Sequence, residues 1–580
     1  MNFEKFETEF LIELSKDNKK KCLKLIDDNV KLINENIGEN GNSDTIKKFV
    51  KEMNNSIVKT KKKFSLFEKV LAHPSFNKVS KAINISDVLI EACKLGNKEA
   101  AKWLLTMDID TCIQDEDGMT ALMYACKNSS LLSIVKKLVL NAKSLNILDK
   151  NGNNALFHAL SNNDALCELL RTSINVNHVN NKNETVLIHC CKNDIFEPID
   201  VLTLSNDINV NITDDDHRTA AMYLAEKARS IELKQLNKRN CNYDFVNKKG
   251  ESVLSITIQN LYSSNDEKVS GEFIKYLRIL TVLIHFNCSF DLPVDSDENT
   301  AIMVFLLVND LTTLSYVLKY SKNYDLSVKN KFGENASSLA MKMKNNLIYI
   351  KKIFSHSTFD KSYIDSYNNN TMLMISAMND SLFLDVLIED DINTLNSVNF
   401  KDENALILAT KIENEVSVKK LLKHKINVNQ QDILGNTSLY YAVDLKNKTI
   451  IKELVLSNAD ANIKNKEGIS ALNLAHEIGD KEILNILLNP ESYNPSENED
   501  SSKKDQTNKY SDIYEYLYPW INNSYTGFKM TKSLLSIQKC YFMELQIKMD
   551  DPSSLYRYNN YYPCYGYYRD PVMARCIRSK

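Results

Sequence analysis

The string GMTALMYA, residues 118–125, decides the architecture, because it returns as GNNALFHA at 152–159, GNTSLYYA at 435–442 and GISALNLA at 468–475. Each copy reads as a turn glycine followed by an amphipathic helix. Its third residue serves as a marker, found at Thr120, Asn154, Thr185, Thr219, Ser252, Thr300, Asn335, Thr371, Asn404, Thr437 and Ser470. Successive markers lie 34, 31, 34, 33, 48, 35, 36, 33, 33 and 33 residues apart. A sustained period of this size signals stacked supersecondary units. A degenerate copy starts at Asp87, 33 residues before Thr120, giving about twelve units.

The second half of each unit repeats as well. Val135, Leu138 and Val139 precede Asn146, Asp149 and Gly152 at the same offsets as Val418, Leu421 and Leu422 precede Asn429, Asp432 and Gly435. Apolar residues at i, i+3 and i+4 predict a second helix with one buried stripe. The Asn and Asp residues that follow can hydrogen-bond their own backbone, and the glycine accepts a positive φ, so this polar stretch is predicted to form a hairpin between units.

On these residues the sequence resembles the ankyrin-repeat family over positions 81–490, about 70% of the chain. The resemblance implies an all-α ankyrin-repeat solenoid with short β-hairpin loops. The family's T-P-L-H-x-A core is never complete. Ala, Val, Ser or Met replaces the proline, and the histidine position holds Met123, Phe157, Ile188, Met222, Ser255, Met303, Ser338, Met374, Ile407, Tyr440 and Asn473. These changes are expected to remove an ordering proline and a polar tie from every unit.

Four segments follow from the pattern. Residues 1–80 have a helix-turn-helix rhythm and read as a helical N-terminal cap, itself a candidate divergent repeat. The array occupies 81–490, and its 48-residue marker gap is expected to hold a polar insertion of about 15 residues that lengthens a helix connection. Residues 491–509 have the composition of a disordered polar linker. Residues 510–580 form a Tyr-rich C-terminal segment that contains Trp520, one of two tryptophans in the chain.

The 580 residues carry 72 basic and 75 acidic side chains, a balance that gives no global field for nucleic acid or an anionic membrane. The N-terminus lacks the uninterrupted apolar core of a secretory signal, and no stretch approaches 18 consecutive apolar residues. Twelve scattered cysteines without CxxC pairs suggest reduced, packed thiols. The expectation is therefore a cytoplasmic or nuclear protein, with no nucleic-acid or membrane partner and no cofactor.

Candidate chemistry is sparse. No phosphate-binding glycine loop, HExxH or kinase motif occurs. His189, Cys190 and Cys191 fall at packed positions of a first helix and read as core. Asp214–His217 reads as a solvated hairpin tip, since a calcium loop needs further ligands at fixed offsets. Lys59–Lys63 could serve as a nuclear address but suit a solvated helix face better. Arg557, Tyr561, Tyr562, Tyr567, Tyr568 and Arg569 could stack on bases, but a docking or self-packing role is preferred in the absence of a basic groove.

The family resemblance implies binding on a concave face built from hairpin tips and the ends of the first helices. Two places past the small residue that closes each first helix stand Asn128, Asn162, Asn193, Lys227 and Asn260 in the early units. The later units place Val308, Met343, Asn379, Ile412, Leu445 and Ile478 there. Phe332, Ile433 and Leu434 add apolar residues at predicted turns. These observations suggest a noncatalytic scaffold or adaptor that binds a partner helix, an extended segment or its own C-terminal tail along the later repeats. The alternative is a substrate-targeting subunit of a ubiquitin ligase or kinase complex that recruits through the tail.

Overall fold

The computed structural model describes residues 2–38, 41–61, 64–263, 270–342, 347–379, 383–390 and 394–492. The predicted 491–509 linker, from residue 493 onward, and the 510–580 segment lie outside them. The chain divides into two compact units, Met1–Lys249 and Gly250–Lys580, and the described residues of each form successive helix pairs.

In the first unit the inner helices Phe3–Ser15, Ser43–Lys59, Val88–Lys94 and Ala121–Lys127 pack in succession. Each is followed by an outer helix, such as Lys19–Asp27 after the first and Lys98–Leu104 after the third. Two further helices, Val30–Asn36 and Asn77–Asn84, fill the early connections. The N-terminal pairs close over Phe6, Phe10, Phe49 and Phe76, all without solvent exposure and with ring centroids 5.5–6.2 Å apart along the chain of contacts Phe6–Phe10–Phe49–Phe76.

The second unit stacks Val253–Leu261, Ala301–Leu307, Ala336–Lys342, Met372–Asn379, Ala405–Lys411, Ser438–Asp444 and Ala471–Ile478 in the same manner. The 48-residue marker gap lengthens an element more than a connection. The helix after Val253–Leu261 runs Ser270–His285, 16 residues against seven to ten for the other outer helices of this unit. Its apolar residues Leu277, Leu280, Leu283 and Ile284 are buried, so the added turns have a face to cover.

Every marker residue stands directly before its inner helix, and ten of the eleven cap it: the side chain accepts a backbone N–H two or three residues on, from Met123 onto Thr120 through to Asn473 onto Ser470. Thr219 makes no such bond. A cap of this kind contributes about 1 kcal/mol. The expected loss of a polar tie in every unit is corrected here. The backbone N–H of the marker donates to Met123 Sδ, Ser255 Oγ, Met303 Sδ, Ser338 Oγ and Asn473 Oδ1, so sulfur, hydroxyl and amide replace imidazole in five units.

Apart from the longer Asp365–Asn370 hairpin, the hairpins close by one device. A leading Asp or Asn turns its side-chain oxygen onto the backbone two and four residues later; Asp432 Oδ1 accepts from Leu434 and Asn436, both at 2.9 Å. The fourth hairpin residue is left-handed, as at Gly435 with φ +80°, where a Cβ would also come within 2.9 Å of the Lys466 nitrogen. From residue 149 onward the leading residue alternates strictly: Asp149, Asn180, Asp214, Asn247, Asp295, Asn330, Asp365, Asn399, Asp432, Asn465.

The reason lies in what each leading side chain meets. Asn180, Asn330, Asn399 and Asn465 donate their amides to Asn153, Asn299, Asn370 and Asn436 of the preceding hairpin, at 2.8–3.1 Å. Hairpins led by Asn180, Asn330 and Asn399 carry their carboxylate later, at Glu184, Glu334 and Glu403, and pair it with Lys192, Lys342 and Lys411 eight residues on. Those led by Asp115, Asp214 and Asp432 bond a tyrosine nine residues on instead.

Asp149 bonds His158 at this position, with Nε2 3.0 Å from Oδ2. Burial, aided by Lys127, holds the His158 imidazole below its ordinary pKa despite the carboxylate. The unfolded chain therefore takes up this proton more readily, and stability contributed by the site at neutral pH is lost as pH falls below about 6.5. His158→Tyr, which copies the other Asp-led hairpins, is expected to flatten the decline of first-unit stability between about pH 7 and 5. Urea titrations across that range test this; an unchanged pH slope contradicts it.

Candidate partner-binding surface

Four successive hairpins of the second unit carry apolar side chains at their tips. Leu434 is 57% exposed, Ile433 43%, Phe400 67% and Tyr367 49%, while Phe332 is half-buried with the Lys331 ammonium 5.0 Å from its ring. The same two tip positions elsewhere are polar, as in Glu116–Asp117, Lys150–Asn151, Asp215–Asp216 and Lys466–Glu467. Polar tips are what a turn exposed to water ordinarily shows, so a run of apolar ones needs a reason.

The tips are held in register by the backbone. The Phe400 N–H donates to the Asn368 carbonyl, the Ile433 N–H to Lys401 and the Lys466 N–H to Leu434, at 2.9–3.0 Å, and Ser366 Oγ donates to the Phe332 carbonyl at 3.0 Å. Packed helices lie 8–10 Å apart, so four tips make a ridge about 30 Å long. Exposed Lys331, paired with Asp297, exposed Lys466 and half-buried Lys401 flank it, together with the exposed acids Asp402 and Glu467.

The row expected at the other end of the inner helices is shorter than the spacing implied. Ile412 and Leu445 cap helices Ala405–Lys411 and Ser438–Asp444, and Ile478 ends Ala471–Ile478; all three are half-buried on successive packed helices. Val308 is 7% exposed and offers a partner almost no area. Met343 lies outside the described residues. The ridge and the row are separated by one inner helix, about 10 Å for seven residues.

Tyr367 and Phe400 belong with Phe332, Ile433 and Leu434, and the sequence reading passed them over. Phe400 sits at the same hairpin position as Ile433, so register alone identifies it. Tyr367 was hidden by one extra residue in the Asp365–Asn370 hairpin, which accounts for part of the 36-residue marker gap. In the early units the corresponding polar residues serve the fold: Asn162 is buried, caps Asn163–Leu170 and donates to the Cys126 carbonyl at 3.0 Å, while Lys227 pairs with Asp194 at 2.5 Å.

Of the chemistry-bearing residues, Cys190 and Cys191 are packed, His189 is half-buried, and Asp214 is buried where a solvated tip was expected. Cys190 and Cys191 are fully buried, and burial pushes the Cys190 thiol up to about 12 and Cys191 well above its ordinary value. His189 Nδ1 lies 3.0 Å from Glu184 Oε2. Asp214 spends one oxygen on the Asp216 and Arg218 amides and the other on Tyr223, and His217 takes the left-handed position at φ 57°. Lys62 and Lys63 lie outside the described residues, as do the arginines and tyrosines of the C-terminal segment. Among the described residues no group of three or more His, Cys, Asp or Glu side chains could hold a metal ion, and no helix is long and apolar enough to cross a membrane.

A family model described as ankyrin repeats in three copies matches residues 39–143, 128–214 and 373–465. No curated protein matches the chain. Ankyrin repeats are generally protein-interaction modules. The helix pairs, the marker-capped inner helices and these matches together show ankyrin repeats over residues 39–214 and 373–465.

Proposed function

We propose that this protein is a noncatalytic interaction scaffold or adaptor that holds a protein partner against the hairpin tips of its second unit. The observation that carries this reading is the run of apolar tips at Phe332, Tyr367, Phe400, Ile433 and Leu434, set among hairpins whose other tips are polar. Ile412, Leu445 and Ile478 extend the contact toward the far end of the inner helices. The described cysteines are free thiols, which suits a reducing compartment such as the cytoplasm.

Interface energy concentrates in a few buried aromatic and aliphatic anchors. Phe400→Asp combined with Leu434→Asp is therefore expected to weaken partner binding by at least about 2 kcal/mol, roughly 30-fold, with helicity unchanged because both side chains are exposed. Recovery of cellular proteins on the full chain and on this variant tests the reading. Recovery of the same proteins in the same amounts by both would sink it.

A further inference from the structure

The ridge is apolar along its crest and mixed in charge at its flanks, with Lys331 paired to Asp297, Lys401 beside Asp402 and Lys466 beside Glu467, and about 30 Å of it lies open. A strand that covers it should be extended, rich in aromatic and aliphatic side chains, and about ten residues long at about 3.3 Å each. The chain contains such a segment. Residues 510–520, YSDIYEYLYPW, hold Tyr510, Ile513, Tyr514, Tyr516, Leu517, Tyr518 and Trp520 with two acids, Asp512 and Glu515, and no base. Extended, these 11 residues span about 36 Å.

Position supports the same pairing. The chain leaves the last helix pair after Lys481–Leu488, and the hairpin that begins this last repeat, led by Asn465, directly follows the one bearing Ile433 and Leu434. Seventeen residues, 493–509, join that point to Tyr510. A polar chain of this length has an end-to-end distance of about 20–25 Å and a reach of about 55–60 Å, enough to bring residue 510 to either end of the ridge. Such a tether also gives an effective concentration on the order of millimolar, which favours the chain's own segment over a second copy at cellular concentrations.

We propose that residues 510–520 lie along the Phe332–Tyr367–Phe400–Ile433–Leu434 ridge of the same molecule and cover it until a protein partner displaces them. This rests on the reading of the ridge as a docking surface and names its resting occupant. The aromatic side chains bury against the tips, and Asp512 and Glu515 come within reach of exposed Lys466. Partner binding then costs the displacement of the segment, so the surface is selective for partners that bind more tightly than the tethered competitor.

Trp520 reports the state directly. The difference in emission between the full chain and its Trp520→Phe variant isolates this residue from Trp103. In the full chain that emission is expected to be blue-shifted and quenched by acrylamide severalfold less than free tryptophan. Two variants should abolish the protection: Phe400→Asp with Leu434→Asp on the ridge, and Asp512→Lys with Glu515→Lys on the segment, the latter touching no residue of the folded repeats. The segment variant should also raise partner recovery.

Trp520 quenched like free tryptophan in the full chain overturns the proposal, as does protection that survives both variants. Protection that appears only as protein concentration rises assigns the ridge to a second copy and overturns it too. An exposed Trp520 together with partner recovery that is lost on Phe400→Asp with Leu434→Asp would leave the docking surface standing and remove only its cover.

Discussion

Lys411→Met is expected to lower the stability of the repeats around it by about 3–5 kcal/mol, because it leaves two buried carboxylates without their shared cation. Lys411 ends the inner helix Ala405–Lys411 with its ammonium buried, paired with Glu403, 3.5 Å from Asp432 Oδ2 and 4.0 Å from the centre of the Tyr441 ring. Glu403 and Asp432 belong to consecutive hairpins, so the lysine spans an interface between repeats. Methionine keeps most of the stem packing and removes the charge. Stability in stacked repeats is a sum of local terms, so the effect should appear in amide exchange of Ala405–Lys411 and Ser438–Asp444 more than in a global midpoint. A loss below about 1 kcal/mol would contradict the account, while Glu403→Gln added to Lys411→Met should recover part of the loss.

Phe49→Ala is expected to cost about 3–5 kcal/mol at the N-terminal end. Phe49 lies on Ser43–Lys59, fully buried between Phe10, 6.2 Å away, and Phe76, 6.0 Å away. The helix pair before it has neighbours on one side only, so the cavity is expected to release Phe3–Ser15 and Lys19–Asp27 first. Limited proteolysis should cut within residues 3–27 while the second unit keeps its exchange protection. Unchanged cleavage in the first 40 residues would contradict this.

The periodic part of the fold was legible because ten of the eleven markers perform one physical task. A Thr, Ser or Asn standing before a helix every 31–36 residues, with one gap of 48, leaves a trace that survives the drift of everything around it. The histidine position was harder to read, since three unlike groups, a thioether at Met123, a hydroxyl at Ser255 and an amide at Asn473, accept the same backbone N–H. Residue similarity does not register that equivalence.

Of the candidate surface, Phe332, Ile433 and Leu434 stood out because apolar side chains in a predicted turn conflict with local chemistry. Tyr367 and Phe400 required the hairpin register, which an inserted residue had displaced in one case. Val308 illustrates the opposite failure: its place in the pattern matches that of Ile412, but its burial depends on neighbouring helices that linear spacing cannot supply.

The alternation of Asp-led and Asn-led hairpins sets unlike joints side by side: Asn399 seals onto Asn370 amide to amide, and the next joint is closed by Lys411 between Glu403 and Asp432. The smallest interchangeable segment of the array is therefore a pair of repeats, about 67 residues, as from Asp365 to Asp432. Removal of a single repeat would set two like-led hairpins side by side, with an orphaned carboxylate or an amide lacking its acceptor. Removal of two would rejoin matching ends, so the stretch from Asp149 onward, unlike the Asp115–Asp149 junction where two Asp-led hairpins already adjoin, should tolerate changes of length in even steps.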